Sequence, residues 1–198
     1  MKKVLIASKN EGKIKEFRKM LAPYGTEVLS LNDLPDAPNV EETGATFQEN
    51  ARLKAEAIAE RYQCLAIADD SGLAVDALGG RPGICSARYA GEEKDDRKNI
   101  EKVLKELEDV PMNERSARFV CVLAVSRPGS KTVFAEGECR GLITTAPRGE
   151  GGFGYDPIFY IPEMNKTFAE LTSDEKNAIS HRARALKNLE KLLPELLG

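Results

Sequence analysis

The 198-residue sequence holds a single histidine, His181, and no tryptophan. One histidine excludes a multi-histidine zinc site and a mechanism with separate histidine acid and base. The four cysteines, Cys64, Cys85, Cys121 and Cys139, contain no CxxC pair. A zinc ribbon and a thioredoxin-type motif are therefore excluded. Each cysteine lies in or near an apolar run and reads as a reduced packing thiol. Charge of one sign is also scarce: 29 Lys and Arg against 32 Asp and Glu give a net charge of -3. A strong duplex binder carries a basic excess, so stable nucleic-acid binding is not expected. Long hydrophobic runs are missing too. The basic start, Met1-Lys2-Lys3, is followed by four apolar residues, Val4–Ala7, too few for a signal core. No segment approaches membrane-spanning length, so no membrane association is expected and the cytoplasm is the expected location.

What is present is 41% apolar and 31% charged residues, with a mean hydropathy of -0.39. This is the composition of a soluble globular chain, long enough for one sizeable core or two fused lobes. The pattern opens as strand (Val4–Ala7), polar turn, then helix, with Ile14, Phe17, Met20 and Leu21 on one face. A second strand is expected over Thr26–Leu31, followed by an acidic, Pro-containing loop. A helix begins at Thr46, with Glu49 at capping-box spacing. Leu65–Ala68 reads as a short buried strand ending at Asp69-Asp70-Ser71-Gly72. Lys94–Glu108 reads as an amphipathic helix. Ala117–Val125 and Thr132–Ile143 read as a long antiparallel hairpin. Ile158–Ile161 is a last strand, and a helix from about Ser180 to Leu197, with Ser180 as its N-cap, closes the chain.

Four polar clusters fall at strand ends or helix starts, where side chains and unpaired N–H groups collect. Ser8-Lys9-Asn10-Glu11-Gly12-Lys13 sits where a phosphate loop would, although GxxxxGK[ST] is absent. An ordinary capped turn would look the same. Glu41-Glu42 precedes a helix on which Thr46, Asn50 and Lys54 share a face; a surface ion pair is the plainer reading of Lys54. Asp69-Asp70 at the end of an apolar strand is harder to explain structurally, because buried adjacent carboxylates repel. A divalent cation relieves both costs, and oxygen ligands beside phosphate favour Mg2+ over zinc. The last cluster is Gly152-Phe153-Gly154-Tyr155-Asp156-Pro157 with Lys176, His181 and Arg182 downstream. An aromatic between glycines can stack on a base, and core packing is the competing reading for Phe153 and Tyr155.

Taken in order, SKNEGK, EETGATFQENARLKA, IADDSGLAVDALGGRPGICSARYAG, GGFGYDPIF and AELTSDEKNAISHRARAL resemble the inosine triphosphate pyrophosphatase family. Together they run from Ser8 to Leu186. The one departure is Ser8-Lys9 where the family often has Thr-Gly; the hydroxyl is kept.

The resemblance implies an α/β fold: an elongated mixed β-sheet flanked by helices, one domain over 1–198 with two interleaved lobes around a nucleotide cleft. It implies a homodimer and Mg2+-dependent cleavage of noncanonical purine triphosphates (ITP, dITP, XTP, dXTP) to the monophosphate and pyrophosphate. It assigns the Ser8–Lys13 loop, Lys54 and Ser71 to the phosphates or sugar. Glu41 and Asp70, with Glu42 and Asp69 close behind, go to Mg2+, and Asp70 is the proton acceptor. Phe153 and Gly154 go to the base face, and Tyr155, Asp156, Lys176, His181 and Arg182 to its edge. An ordinary Asp pKa near 4 would make Asp70 a weak base. The competing enzyme reading is a Maf-type pyrophosphatase acting on modified pyrimidine nucleotides.

Overall fold

The computed structural model describes residues 3–197. Met1 and Lys2, the start of the basic stretch considered above, lie outside them. Seven strands form one mixed sheet in the order β2-β1-β3-β4-β5-β6-β7. They are β1 (Lys3–Ile6), β2 (Glu27–Ser30), β3 (Leu65–Val75), β4 (Ser116–Ser126), β5 (Val133–Ile143), β6 (Phe159–Ile161) and β7 (Lys166–Thr167). β1 runs parallel to β2 and β3. β6 is antiparallel to both β5 and β7. The helices are α1 (Glu11–Leu21), α2 (Phe47–Tyr62), α3 (Asp96–Glu106), α4 (Ser173–Ile179), α5 (His181–Glu190) and α6 (Leu193–Leu197). The expected mixed α/β architecture is the one the chain adopts.

The chain divides into two compact units. The first comprises residues up to Asp70, Cys121–Gly137 and the residues from Arg182 onward. Its core joins Val4 and Ile6 of β1, Phe17 and Leu21 of α1, Ile67 of β3, Leu123 of β4 and Leu186 and Leu189 of α5. The second comprises Ser71–Val120 and Glu138–His181. Its core holds Leu73, Val103, Leu107, Ile143 and the ring group Phe119, Phe159 and Phe168.

Local signals set the helix starts. Asn10 Oδ1 accepts from Lys13 N at 3.1 Å and caps α1. Thr46 Oγ1 caps α2 through Glu49 N at 3.1 Å, as expected. The box is not closed in the expected way, however: the Glu49 carboxylate reaches past the cap to Ala45 N at 2.7 Å.

Two expectations change. The strand at Leu65 does not stop at the acids but continues to Val75, so Asp69 and Asp70 sit mid-strand. Backbone pairing continues through a polar dipeptide when its side chains find partners on each face. The helix expected from about Ser180 to Leu197 is instead split into α5 and α6, and a separate short helix, α4, precedes it. Ser180 ends α4 in extended conformation (ψ 157°), with its N–H on Lys176 O at 2.8 Å. Pro194 has no N–H to give Glu190, so α5 ends and α6 starts afresh.

Within the second unit, Arg115 is buried and its guanidinium donates to three carbonyls: Leu107 O at 2.6 Å, Val110 O at 2.9 Å and Thr144 O at 2.9 Å. It fastens the end of α3 to the end of β5.

Candidate active site

In the first unit the alternation of β3 separates the two acids. Successive strand residues face opposite ways, so Asp69 and Asp70 meet different partners. Asp69 Oδ1 takes Lys13 Nζ at 2.6 Å, and Oδ2 takes Arg182 Nε at 2.8 Å. The Cys121 thiol donates to the same Oδ2 at 3.1 Å. Burial alone would raise the Asp69 pKa, but the charges of Arg182 and Lys13 outweigh it and hold the carboxyl well below its ordinary range. The adjacency of the two acids therefore needs no metal at Asp69, whose oxygens are taken by cations and a thiol.

Asp70 differs. Its Oδ1 lies 3.5 Å from Lys54 Nζ, while its buried Oδ2 receives no hydrogen bond. Burial pushes its pKa up to about 6, with Glu42 and Asp69 adding to the rise and Lys54 and Lys13 opposing it. The expectation of an ordinary, weakly basic Asp70 is thereby corrected. Lys54, from the middle of α2, also donates to Glu42 Oε1 at 3.1 Å and to the Asp69 carbonyl at 2.7 Å. Burial would lower the Lys54 pKa, yet Asp70, Glu42 and Asp69 together raise it, so the ammonium stays charged. Lys54 is thus a nearly buried cation (side chain 13% exposed) joining three groups, not a surface ion pair. Glu41 is exposed.

The Ser8–Lys13 turn is self-bonded. Ser8 Oγ accepts from Asn10 N at 3.1 Å, and Asn32 Nδ2 donates to Lys9 O at 3.2 Å and to the Glu11 carboxylate. Ser8 is half-buried, Lys9 is exposed, and Gly12 lies in the first turn of α1.

In the second unit Asp156 and Lys176, both buried, pair at 2.7 Å. The same Asp156 oxygen accepts from Phe153 N at 3.1 Å. Lys176 Nζ stands 4.7 Å from the Phe153 ring centroid, a cation–π distance. Gly152 has φ +69°, and a Cβ there would lie 2.0 Å from Asp156 Oδ2. Only glycine fits this turn. Gly154 N donates to Asp96 Oδ2 at 2.9 Å. The Tyr155 hydroxyl donates to Ser86 O at 2.5 Å, and burial pushes its pKa above the ordinary range. Tyr155 is thus tied to the core of its unit. His181 stacks on Phe119 with centroids 4.7 Å apart. Ser71 is half-buried on β3.

Of the residues expected at the base edge, Asp156, Lys176 and His181 lie in the second unit, while Arg182 belongs to the first, 1% exposed, on Asp69 and Glu16. Glu16 and Cys121 were not expected at all. Glu16 lies one helical turn from Lys13, the i, i+3 spacing that places both on one face, and that spacing was the available signal.

Comparison with known proteins accords with this arrangement. The profile of the Ham1 family matches residues 4–192. A dITP/XTP pyrophosphatase of Geobacillus kaustophilus is 60% identical over 198 residues, covering 100% of this chain and 97% of its own. The dITP/XTP pyrophosphatase of Bacillus subtilis is 58% identical over 98% of each chain. The structure of the Staphylococcus aureus Ham1 protein superposes with a TM-score of 0.86 at 47% identity, covering 98% of this chain and 99% of that one. A match extending over nearly every residue from β1 to α6, and over the acids, lysines and glycine turn described above, does not support the Maf-type alternative; the chain belongs to the Ham1 family.

Proposed function

We propose that the protein hydrolyses noncanonical purine nucleoside triphosphates, such as dITP and XTP, to the monophosphate and pyrophosphate. The carrying observation is the convergence of two nearly buried ammonium groups, Lys13 and Lys54, on adjacent carboxylates of β3. Cations held in that way are preorganised for a polyanion, since they need not be collected and oriented at the moment of binding. An ammonium has three donors: Lys13 can hold Asp69 and still donate to phosphate, while Lys54, already on Glu42, the Asp69 carbonyl and Asp70, would reach phosphate by giving up its long 3.5 Å contact with Asp70.

Asp70 is the proton acceptor in this reading. Its carboxyl is raised to about 6 by burial when no cation is bound, and a bound Mg2+ would bring it down again. A water oxygen bonds to phosphorus as the bridging bond between the α and β phosphates breaks. The water proton passes to Asp70, and pyrophosphate carries away the bridging electron pair.

The donor set fits Mg2+. Asp70 offers a buried oxygen without a hydrogen bond, and Glu42, with its neighbour Glu41, offers further hard oxygens. Among the described residues no three His, Cys, Asp or Glu side chains cluster to hold a metal. Mg2+ usually completes its shell with water and substrate phosphates. When bound, it supplies neutralisation of the phosphates and acidification of water.

Base discrimination in this reading uses Phe153 for stacking, with the Lys176 ammonium beside it. Hypoxanthine and xanthine offer O6 and N7 acceptors, whereas adenine offers an N6 donor. A site of fixed donors penalises the wrong group strongly. The homodimer and the cytoplasmic location belong to the same proposal, supported by the family resemblance. No helix among the described residues is long and apolar enough to cross a membrane.

The test is pyrophosphate release across dITP, ITP, XTP, dATP, dGTP, dUTP and 5-methyl-UTP, with Mg2+ and with EDTA. Turnover concentrated on dITP, ITP and XTP and abolished by EDTA is the expected result. Turnover of the pyrimidines alone would overturn the substrate class, and full activity in EDTA would overturn the metal.

A further inference from the structure

Phe153, the residue that stacks on the base in the proposed function, lies between two glycines of positive φ, Gly152 at +69° and Gly154 at +59°. Flanking glycines leave a backbone lax unless its N–H groups are fixed. Two successive N–H groups are fixed here, by different elements. Phe153 N donates to Asp156 Oδ2 at 3.1 Å, within the turn itself. The next one, Gly154 N, donates to Asp96 Oδ2 at 2.9 Å, and Asp96 stands 58 residues earlier, in the first turn of α3. We propose that Asp96 is a positioning residue for base stacking, holding the Phe153–Gly154 peptide so that the Phe153 ring is set before the base arrives. The inference rests on the proposed stacking role of Phe153 and deepens it.

Three observations carry it. First, α3 does not need Asp96 in order to begin. Asp95 is its N-cap and accepts from Lys98 N at 3.1 Å, so the Asp96 carboxylate can serve a group outside the helix. Second, α3 is a firm support. Its Ile100 and Val103 belong to the core of the second unit. Asn99, 2% exposed, clamps the chain ahead of the helix, donating to Ala87 O at 2.9 Å and accepting from Ala90 N at 2.7 Å. Third, the other holds on Phe153 come from its own turn and from α4, through Asp156 and Lys176. Asp96 is the contact that ties this platform to α3. An N–H accepted by a carboxylate is held more strongly than by a neutral oxygen, and a ring already oriented loses less freedom when a base stacks on it.

The experiment compares full-chain wild type with Asp96→Ala, Asp96→Asn, Phe153→Ala and the Asp96→Ala/Phe153→Ala pair. KM and kcat are measured with dITP and Mg2+. Affinity for inorganic tripolyphosphate, which carries phosphates and no base, is measured by calorimetry. We expect Asp96→Ala to raise KM for dITP about fivefold, as for one lost hydrogen bond. Its kcat should stay within about twofold, the pattern of lost uniform binding, and its tripolyphosphate affinity should not change. Asp96→Asn keeps an oxygen in the same place and should keep the wild-type KM. A role confined to the helix dipole would follow the charge and put Asn with Ala. In the Phe153→Ala background Asp96→Ala should add nothing. The inference is overturned by an unchanged KM in Asp96→Ala, by an Asn variant no better than Ala, by tripolyphosphate weakened as much as dITP, or by an undiminished effect without the ring; the proposed hydrolysis then still stands. An unchanged KM in Phe153→Ala overturns the stacking role and the inference with it. A wild type without dITP turnover overturns the proposed function as a whole. Should Asp96→Ala fail to fold, Asp96→Ser decides by the same criteria, since serine suits a helix start and its oxygen ends one bond short of a carboxylate oxygen.

Discussion

Asp69 and Asp70 are consecutive residues of β3 whose carboxyl groups are driven in opposite directions. Asp69, bonded by Lys13, Arg182 and Cys121, is held ionised. Asp70, with Lys54 at 3.5 Å and one oxygen unbonded, is pushed up to about 6. Neighbouring acids with divided tendencies are a common arrangement where one group holds a site together and the other takes part in proton transfer.

Asp70 makes stability fall as pH rises. Its folded pKa of about 6 lies above the unfolded value of 3.8, so the native state binds the extra proton between them. The resulting stability is complete below about pH 4 and lost as pH climbs through about 6. Asp70→Asn removes this loss while Lys54 keeps Glu42 and the Asp69 carbonyl. In EDTA, the variant should therefore melt higher than wild type at pH 7.5, and the gap should shrink toward pH 4.5. Turnover with dITP and Mg2+ should drop by orders of magnitude. A melting-temperature series against pH, with a pyrophosphate assay alongside, checks both.

Asp69→Asn should act in the other direction on stability. The wild-type carboxylate stabilises the fold above its unfolded pKa near 4, and this is lost as pH falls through its depressed folded value. The amide leaves Arg182 buried beside a neutral group, at a cost of about 3–5 kcal/mol. Urea unfolding at pH 7 should show that loss, and the variant should be flatter than wild type in the acid range.

Lys54→Met should abolish turnover without emptying the fold. The change keeps the apolar stem but removes the cation shared by Glu42 and Asp70. Asp70, deprived of that charge, should titrate higher still. The measurable signs are dITP turnover reduced about a hundredfold or more and a pH–rate profile displaced upward in whatever activity remains.

Gly152→Ala tests the second unit. The new Cβ would enter the space of Asp156 Oδ2 at a backbone φ of +69°. Asp156 would be driven from Lys176 and from Phe153 N. A loss of about 2–4 kcal/mol is expected from strain and a disrupted buried pair, seen as a lowered urea midpoint. Tyr155→Phe, by contrast, deletes only the hydroxyl bonded to Ser86 O. It should cost about 1 kcal/mol and leave the preference for dITP over dGTP intact.

Much of this was legible in the sequence because it is local. The Asn10–Lys13 and Thr46–Glu49 caps follow from spacing along the chain. The helical face of Ile14, Phe17 and Leu21 is the buried one. What escaped was what strand alternation and distant segments decide. Asp69 and Asp70 read as a repelling pair at a strand end, because sequence does not show that Cys121 and Arg182, 52 and 113 residues on, come to Asp69. For the same reason the sequence does not show that His181 and Arg182, adjacent in the chain, fall in different units. Tyr155 in its glycine-rich loop gave no hint of Ser86, 69 residues back, as its acceptor.

Arg115 differs in kind from the other buried cations. Its three acceptors are carbonyl oxygens of Leu107, Val110 and Thr144, and carbonyls do not titrate. Acid that neutralises carboxylates cannot release this joint, and added salt cannot compete with it as it does with exposed ion pairs. Lysine cannot replace it either, since the three carbonyls are met by three separate nitrogens spread along a planar fork, where an ammonium offers one compact point. Position 115 should therefore tolerate no substitution by the other basic residue, however mild that exchange looks by charge.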